Sequence, residues 1–501
     1  MSKTKLNLPL LAILSFALVL RLIGIQSRPI WYDEAFSLLF AKQSPAEILN
    51  NTLFQNSDSS AAEEHPPLYY FGLRAWFEFF GASVVSARLF SILLSLLVVL
   101  LTHQIARELF DPHTALFAAG LASLLPFQIH FAQEIRMYSM LSLWLALGTF
   151  AFLRARTGSR VWWFVFAVSA ALAQYTHNLA AVYLLTLALT PLLQRDWKTL
   201  RAVTLAGLSA LILYLPWMLQ LPAQFAKVSS SFWVEQPGIE RAFTLVLFYL
   251  PHLPLPGIQL MTGFFLAMMI LALAVFQTHL ARRNKHPAAP RAAWAAYLAF
   301  MPPLLLWSVS QIVPVYIERA LLPAHIMFCV WLAWSLTQTR LPRMIQGAAI
   351  LFILAAAGMG IVQHASYKGF PYGPYAEINA GIQNRMQTGD VVVHSSKLTY
   401  LPAFVLDASL PQGFIVDPPN SSVDTLSPSV RDAFQLTGYE SLEFASAGAK
   451  RVWFVIFQQS IDEYTSKGYP THPHLEYLDQ RFDLYAVEEW DDIRVYLYVS
   501  P

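Results

Sequence analysis

The sequence predicts a polytopic α-helical membrane protein of about eleven spans, followed by a soluble α/β domain, and three observations carry that prediction. Of 501 residues, 56% are hydrophobic and only 13% charged, whereas soluble domains run at about a quarter charged. Apolar stretches of bilayer length recur from the N-terminus to residue 363, and a span needs roughly 20 such residues. Beyond His364 the composition turns mixed, with strand-like runs "GDVVVHSS", "GFIVD", "KRVWFVIF" and "DIRVYLYV" between helical segments such as "PYAEINAGIQNRMQ". Residues 1–363 are thus expected to form a transmembrane domain and 364–501 a soluble one.

The expected spans are 7–26, 87–106, 113–131, 137–153, 161–177, 178–194, 201–220, 257–279, 292–313, 319–338 and 344–363. Lys3 and Lys5 precede the first, and no small-residue cleavage site follows it, so it reads as an uncleaved helix. The apolar block from Val161 to Leu193 holds two short helices, with "QYTHN" as their hairpin. "PLYYFGLRAWFEFFG", from Pro67 to Gly81, has Arg74 and Glu78 at its centre and reads as an interfacial helix. Left out of the count, it puts the loops holding Arg107, Arg154, Arg156, Arg195, Arg282, Arg283 and Arg343 on the side of Lys3 and Lys5. Basic loops mark the cytoplasmic face, so the N-terminus is expected there, and the soluble domain outside, at a plasma membrane.

The unusual polar clusters then fall on the outer side, in loops 27–86 and 221–256 and at three junctions between spans: "WYDEAFS", "SDSSAAEEHPPLYY", "FAQEIRMYS", "YTHN", "SSSFWVEQPGIER" and "PVYIERALLP". Net charge of +2 without a basic patch, and the lack of a Walker loop or Rossmann glycine fingerprint, argue against nucleic acid or nucleotide. Cys329 is the single cysteine, which excludes a disulfide framework and a cysteine metal site.

Asp33 and Glu34 sit among Trp31, Tyr32 and Phe36, and a desolvated interface raises a carboxylate's basicity. Adjacent helical residues point about 100° apart, so one of the pair faces any given substrate atom, and Asp33 is favoured as general base. Glu64 and His65, before the Pro66–Pro67 break, suit a divalent cation held by oxygen and nitrogen. "HFAQEIRMYSM" gathers His130, Gln133, Glu134, Arg136 and Tyr138, and "YIERALLPA" offers Glu318 and Arg319. Arginines at the outer ends of apolar spans read as phosphate ligands through bidentate guanidinium pairing. Arg28 and Arg88 read as interface anchors that snorkel. His177 in "YTHN" and Glu235 and Gln236 in "FWVEQ" complete the outer-face candidates.

In this order, the acid pair of the first outer loop, "HPPLYY", "SARLFS", "QEIRMYS", "ERALLP" and a trailing α/β domain resemble the GT-C fold glycosyltransferases. The pattern is similar to the protein O-mannosyltransferase and aminoarabinose transferase group of family 39. The resemblance implies transfer of a sugar from a polyprenyl-phosphate donor to a hydroxyl of a protein, lipid or glycan acceptor, with inversion. It maps the base to Asp33, a glutamate before the Pro turn to Glu64 and a phosphate-holding arginine to Arg319. Where "FWVEH" of the aminoarabinose transferases carries a metal-binding histidine, this chain has Gln236. Two readings follow: a divalent cation on Glu64 and His65, or no metal. The rival activity is a flippase for lipid-linked sugars, but transporters place substrate groups near the midplane in paired halves, and no second copy of the motifs is present.

Overall fold

A computed structural model describes residues 7–53, 63, 65–222, 234–338, 341–418, 426 and 428–501. The chain divides into two compact units: residues 1–25, 65–81 and 85–365, and residues 26–64, 82–84 and 366–501.

The first unit is helical, and every predicted span contains a helix. Among the described residues, seven helices are long and apolar enough to cross a membrane, from Val84–Leu109 to Arg343–Ser366, and the bent pair Pro112–Leu124 and Pro126–Ala132 makes an eighth if it is one span. The other three predicted spans are shorter helices of 15, 16 and 14 residues: Leu8–Leu22, Val161–Thr176 and Ala180–Leu193. The last two are short because the chain breaks at His177 to turn back. The expected interfacial helix is Leu68–Phe80, 13 residues, too short to cross a bilayer. It buries Tyr69, Tyr70 and Leu73, and pairs Arg74 with Glu78 one turn on at 3.7 Å.

The 59° break before Pro126 has a specific cause. Proline lacks the N–H that would bond the carbonyl one turn back. Arg21, fully buried in the first helix, supplies the missing donors: its guanidinium reaches the carbonyls of Ala122 and Ser123 at 3.1 Å and Ser95 Oγ at 2.9 Å. The helices also define two ends of the unit. At one end Arg154 meets Glu108 at 2.9 Å and Arg156 meets Asp196 at 3.4 Å, so the basic loops assemble together. The opposite end of helix Tyr138–Thr157 carries Tyr138.

The second unit holds a six-stranded sheet of β1 (Asp390–His394), β2 (Gln412–Ile415), β3 (Gly438–Tyr439), β4 (Arg451–Phe457), β5 (Asp483–Trp490) and β6 (Ile493–Val499), in spatial order β3-β2-β1-β4-β6-β5. The first four strands run parallel, and β6 and β5 complete the edge antiparallel. β4 reads as a continuous apolar run because both faces of the sheet are covered. Trp453, Val455 and Phe457 pack on one side, and Val452, Phe454 and Ile456 on the other. The helix Tyr32–Ala41 belongs to this unit and packs on helix Lys397–Leu406, with Phe36 and Phe40 edge-on to Phe434 at 5.6 and 6.4 Å.

Candidate functional site

The break at Pro126 leaves the helix Pro126–Ala132 and a short non-helical turn before the next helix starts at Tyr138. That turn carries "QEIR". Gln133 fixes it by donating to the carbonyls of Arg21 and Ile23 at 2.9 and 2.7 Å, beyond the end of the first helix. Ser91 Oγ donates to the Glu134 carbonyl at 2.8 Å from the second side. Gln133 and Glu134 are buried, and the structure gives Gln133 a clamping role.

With the turn pinned, Arg136 and Tyr138 are held as buried groups at the head of helix Tyr138–Thr157. The Arg319 guanidinium lies over the Tyr138 ring, 5.2 Å from its centroid. Arg319 sits in a single 3-10 turn, Glu318–Leu321, that opens helix Leu322–Thr337. Its neighbour Glu318 points to a different partner and forms an ion pair with Arg241. Burial, and next the adjacent Glu318 charge, push the Tyr316 hydroxyl well above its ordinary range.

His177 completes the convergence. It lies in the hairpin that "YTHN" predicts, 5.8 Å ring to ring from Tyr138 and 5.0 Å from His65. Its Nδ1 accepts the Leu179 backbone N–H at 3.1 Å. Its pKa is pushed well below the ordinary value, by burial first and then by the neighbouring His65 and the charges of Arg136 and Arg319. Two arginines and two histidines from four separate segments therefore share one electrostatic neighbourhood. Groups that together suppress protonation of a histidine form a place where an anion is stabilised.

The remaining candidates lie elsewhere. Glu235 and Gln236 are exposed, and the Gln236 amide donates to the Gln311 carbonyl at 3.0 Å. Glu64 and the "SSSFW" segment lie outside the described residues. Asp33 and Glu34 occupy the first turn of helix Tyr32–Ala41 in the second unit, Asp33 half-buried and Glu34 fully buried. Ser37 Oγ donates to the Asp33 carbonyl at 2.8 Å. Arg28 and Arg88 are not snorkelling anchors. Both are buried, Arg88 donating to the Ile25 carbonyl at 2.8 Å and Arg28 lying 4.8 Å over the Tyr367 ring.

Two groups bear on a metal. Of the cation expected on Glu64 and His65, the described residues hold only His65, 5.0 Å ring to ring from His177, and Gln236 turns its amide to Gln311. Among the described residues, His130, His252 and His364 form a separate group, which sequence reading misses because its members are more than a hundred residues apart. Arg21 was detectable, as a charge within a predicted span.

Residues 64–219 match the family described as dolichyl-phosphate-mannose-protein mannosyltransferase. No curated protein matches the sequence. Among solved structures, ArnT from Cupriavidus metallidurans in the apo state is similar with a TM-score of 0.64 at 15% identity, over 97% of both chains. The same protein bound to undecaprenyl phosphate gives 0.62 at 15% identity, again over 97% of both chains. The apo oligosaccharyltransferase of Archaeoglobus fulgidus gives 0.53 at 11% identity, over 96% of this chain and 74% of that one. With its helical unit and trailing α/β sheet, the chain shares the GT-C fold of ArnT, and the family match over residues 64–219 takes in His65, Arg136, Tyr138 and His177 of the cationic site.

Proposed function

We propose that the protein transfers a sugar from a polyprenyl-phosphate donor to an acceptor hydroxyl on the extracytoplasmic face, with inversion. The observation that carries this reading is the convergence of Arg136, Arg319, His65 and Tyr138 on His177. A similar fold with undecaprenyl phosphate bound supports the donor class. In the proposed reaction, Asp33 takes the acceptor's proton as the hydroxyl oxygen attacks the anomeric carbon. The bond from that carbon to the phosphate oxygen breaks, and its electron pair leaves with the lipid phosphate. Arg136 and Arg319 neutralise that departing charge, as fixed donors aimed at developing charge do in general. No step passes through a metal at His65.

General base catalysis contributes roughly 10² to 10⁴ in rate. Asp33→Asn is therefore expected to lower transfer by that factor in vesicles loaded with polyprenyl-phosphate sugar, with the protein still folded. Near-normal turnover would remove Asp33 from the role. The same vesicles test the flippase alternative: an enzyme consumes the lipid-linked sugar, whereas a flippase moves it intact.

A further inference from the structure

We infer that His130, His252 and His364 form a binding site for a divalent transition metal of the zinc class, which ties three segments of the helical unit together beside the phosphate site. The inference is independent of the transfer reaction. One ring nitrogen from each histidine lies within 4.8 Å of the other two. His130 and His252 are buried and His364 half-buried, with ring centroids 5.1 Å apart for His130 and His252, 3.8 Å for His130 and His364, and 5.4 Å for His252 and His364. His130 Nδ1 is in direct contact with the His364 ring.

The backbone is built to bring these rings together. A Cβ added at Gly360 would lie 1.7 Å from the Pro251 carbonyl oxygen and 2.8 Å from Pro126 Cγ. Gly360 thus lets three segments touch: helix Arg343–Ser366, the turn after helix Glu240–Tyr249, and the start of helix Pro126–Ala132. One helical turn beyond Gly360 on the same face is His364, and one turn beyond Pro126 is His130. The residue after Pro251 is His252. It is held at φ 65, a left-handed conformation that non-glycine residues adopt sparingly, while its N–H closes on the Leu247 carbonyl at 2.7 Å. Such strain persists where surrounding structure imposes it and gathers at functional positions.

The chemistry selects the ligand. Three neutral imidazoles without a thiolate or carboxylate suit zinc, copper, nickel or cobalt, and not magnesium or calcium, which require oxygen. Zinc–nitrogen distances of about 2.0–2.1 Å put ligands around one ion roughly 3.3 Å apart, and the three ring nitrogens here lie within 4.8 Å of one another. Phe127, Phe131 and Phe248 wall the His252 ring at 5.4, 6.1 and 5.5 Å. Phe131 then stands 5.6 Å from Tyr138, so the metal cluster and the phosphate site are one aromatic ring apart.

The test uses the full-length protein in detergent, stripped with EDTA and titrated with zinc alone. One equivalent of zinc is expected by elemental mass spectrometry, and cobalt in its place should give the visible absorption of a tetrahedral nitrogen site. Zinc should also raise the melting temperature. His364→Gln and His252→Asn, the latter chosen because asparagine tolerates the left-handed backbone, should each weaken zinc binding at least 10-fold and abolish the thermal shift. Altering even an outer-shell partner of a metal costs about 10- to 100-fold in affinity. His65→Ala and Asp33→Asn should keep the full equivalent, which separates this site from the transfer reaction. Zinc content or thermal shift unchanged in the two histidine variants overturns the proposal, as does failure of the native protein to take up zinc.

Discussion

Arg319 shows how much of the site depends on the type of a residue and not only on its charge. Its planar guanidinium lies over the Tyr138 ring, and a guanidinium pairs with phosphate oxygens through its edge, not its face. Arg319→Lys keeps the charge but loses both the stacking and the fork. Hydrogen bonds to charged groups are worth about 1.5–3 kcal/mol, so donor affinity should fall roughly 10- to 100-fold. Steady-state assays with varied polyprenyl-phosphate sugar should place most of the loss in KM for Arg319→Lys, whereas Tyr138→Phe, which keeps the ring, should stay within a few fold. An Arg319→Lys enzyme with native KM and kcat would detach this arginine from the donor. The sequence pointed to both residues because a cation at the outer end of an apolar span is unusual and costly. It did not point to His177 as their meeting point, since a histidine in a hairpin carries no sign of what faces it.

At the scale of elements, the helices were legible and their interruptions less so. Hydropathy located every helix of the predicted spans, because burial in lipid or protein demands apolar surface along its length. What it could not register was the break at Pro126, where the helix remains apolar on both sides and only the hydrogen-bond ladder changes. Arg21 stabilises that break by filling the orphaned carbonyls of Ala122 and Ser123. Arg21→Met keeps the volume and removes the donors, and an unsatisfied buried carbonyl costs about 1–3 kcal/mol. The variant should melt several degrees lower in detergent and lose donor binding with it, because Gln133, which fixes the turn, bonds to the carbonyl of Arg21 itself. Gly360→Ala acts at a second close approach. Its Cβ meets backbone at Pro251, not a flexible side chain, and overpacking of this kind costs about 1–3 kcal/mol. Melting curves equal to the native protein's would mean that the segments at residues 126, 251 and 360 do not close as described.

Across the whole molecule, the change of composition near His364 separated a membrane part from a soluble α/β part. It could not show that the acid pair Asp33 and Glu34 belongs with the soluble unit, since the contacts of Phe36 and Phe40 with Phe434 span four hundred residues of sequence. The α/β unit should respond to acid through its buried histidines. His394, His472 and His474 of the α/β unit are held at about 4, each by burial, with His474 adding to the effect on His472 and a Gln412 hydrogen bond partly opposing it at His394. In an unfolded chain a histidine titrates at about 6.5. Between those values the unfolded state binds protons that the folded state refuses, so stability is full above about 6.5 and falls as pH drops toward 4. Asp390 does not contribute in that window. Burial raises its carboxyl, but hydrogen bonds from Arg451, Trp453 and Gln387 outweigh it and hold it below its ordinary value, so its contribution is lost only at lower pH. Asp492, raised by burial, opposes the histidines only near the ordinary carboxylate range. Hydrogen exchange of the full-length protein, corrected for intrinsic rates, should show β1, β4 and the segment 472–479 losing protection from pH 7 to 4.5, while helix Trp197–Met218, which carries no histidine, keeps its own. His394→Gln with His472→Asn should flatten that profile. Asparagine can take over the capping bond that His472 makes to the His474 N–H at 3.2 Å, so a flattened profile in a folded protein would trace the acid sensitivity to imidazole protonation. An unaltered profile would show that these two imidazoles do not carry the acid sensitivity.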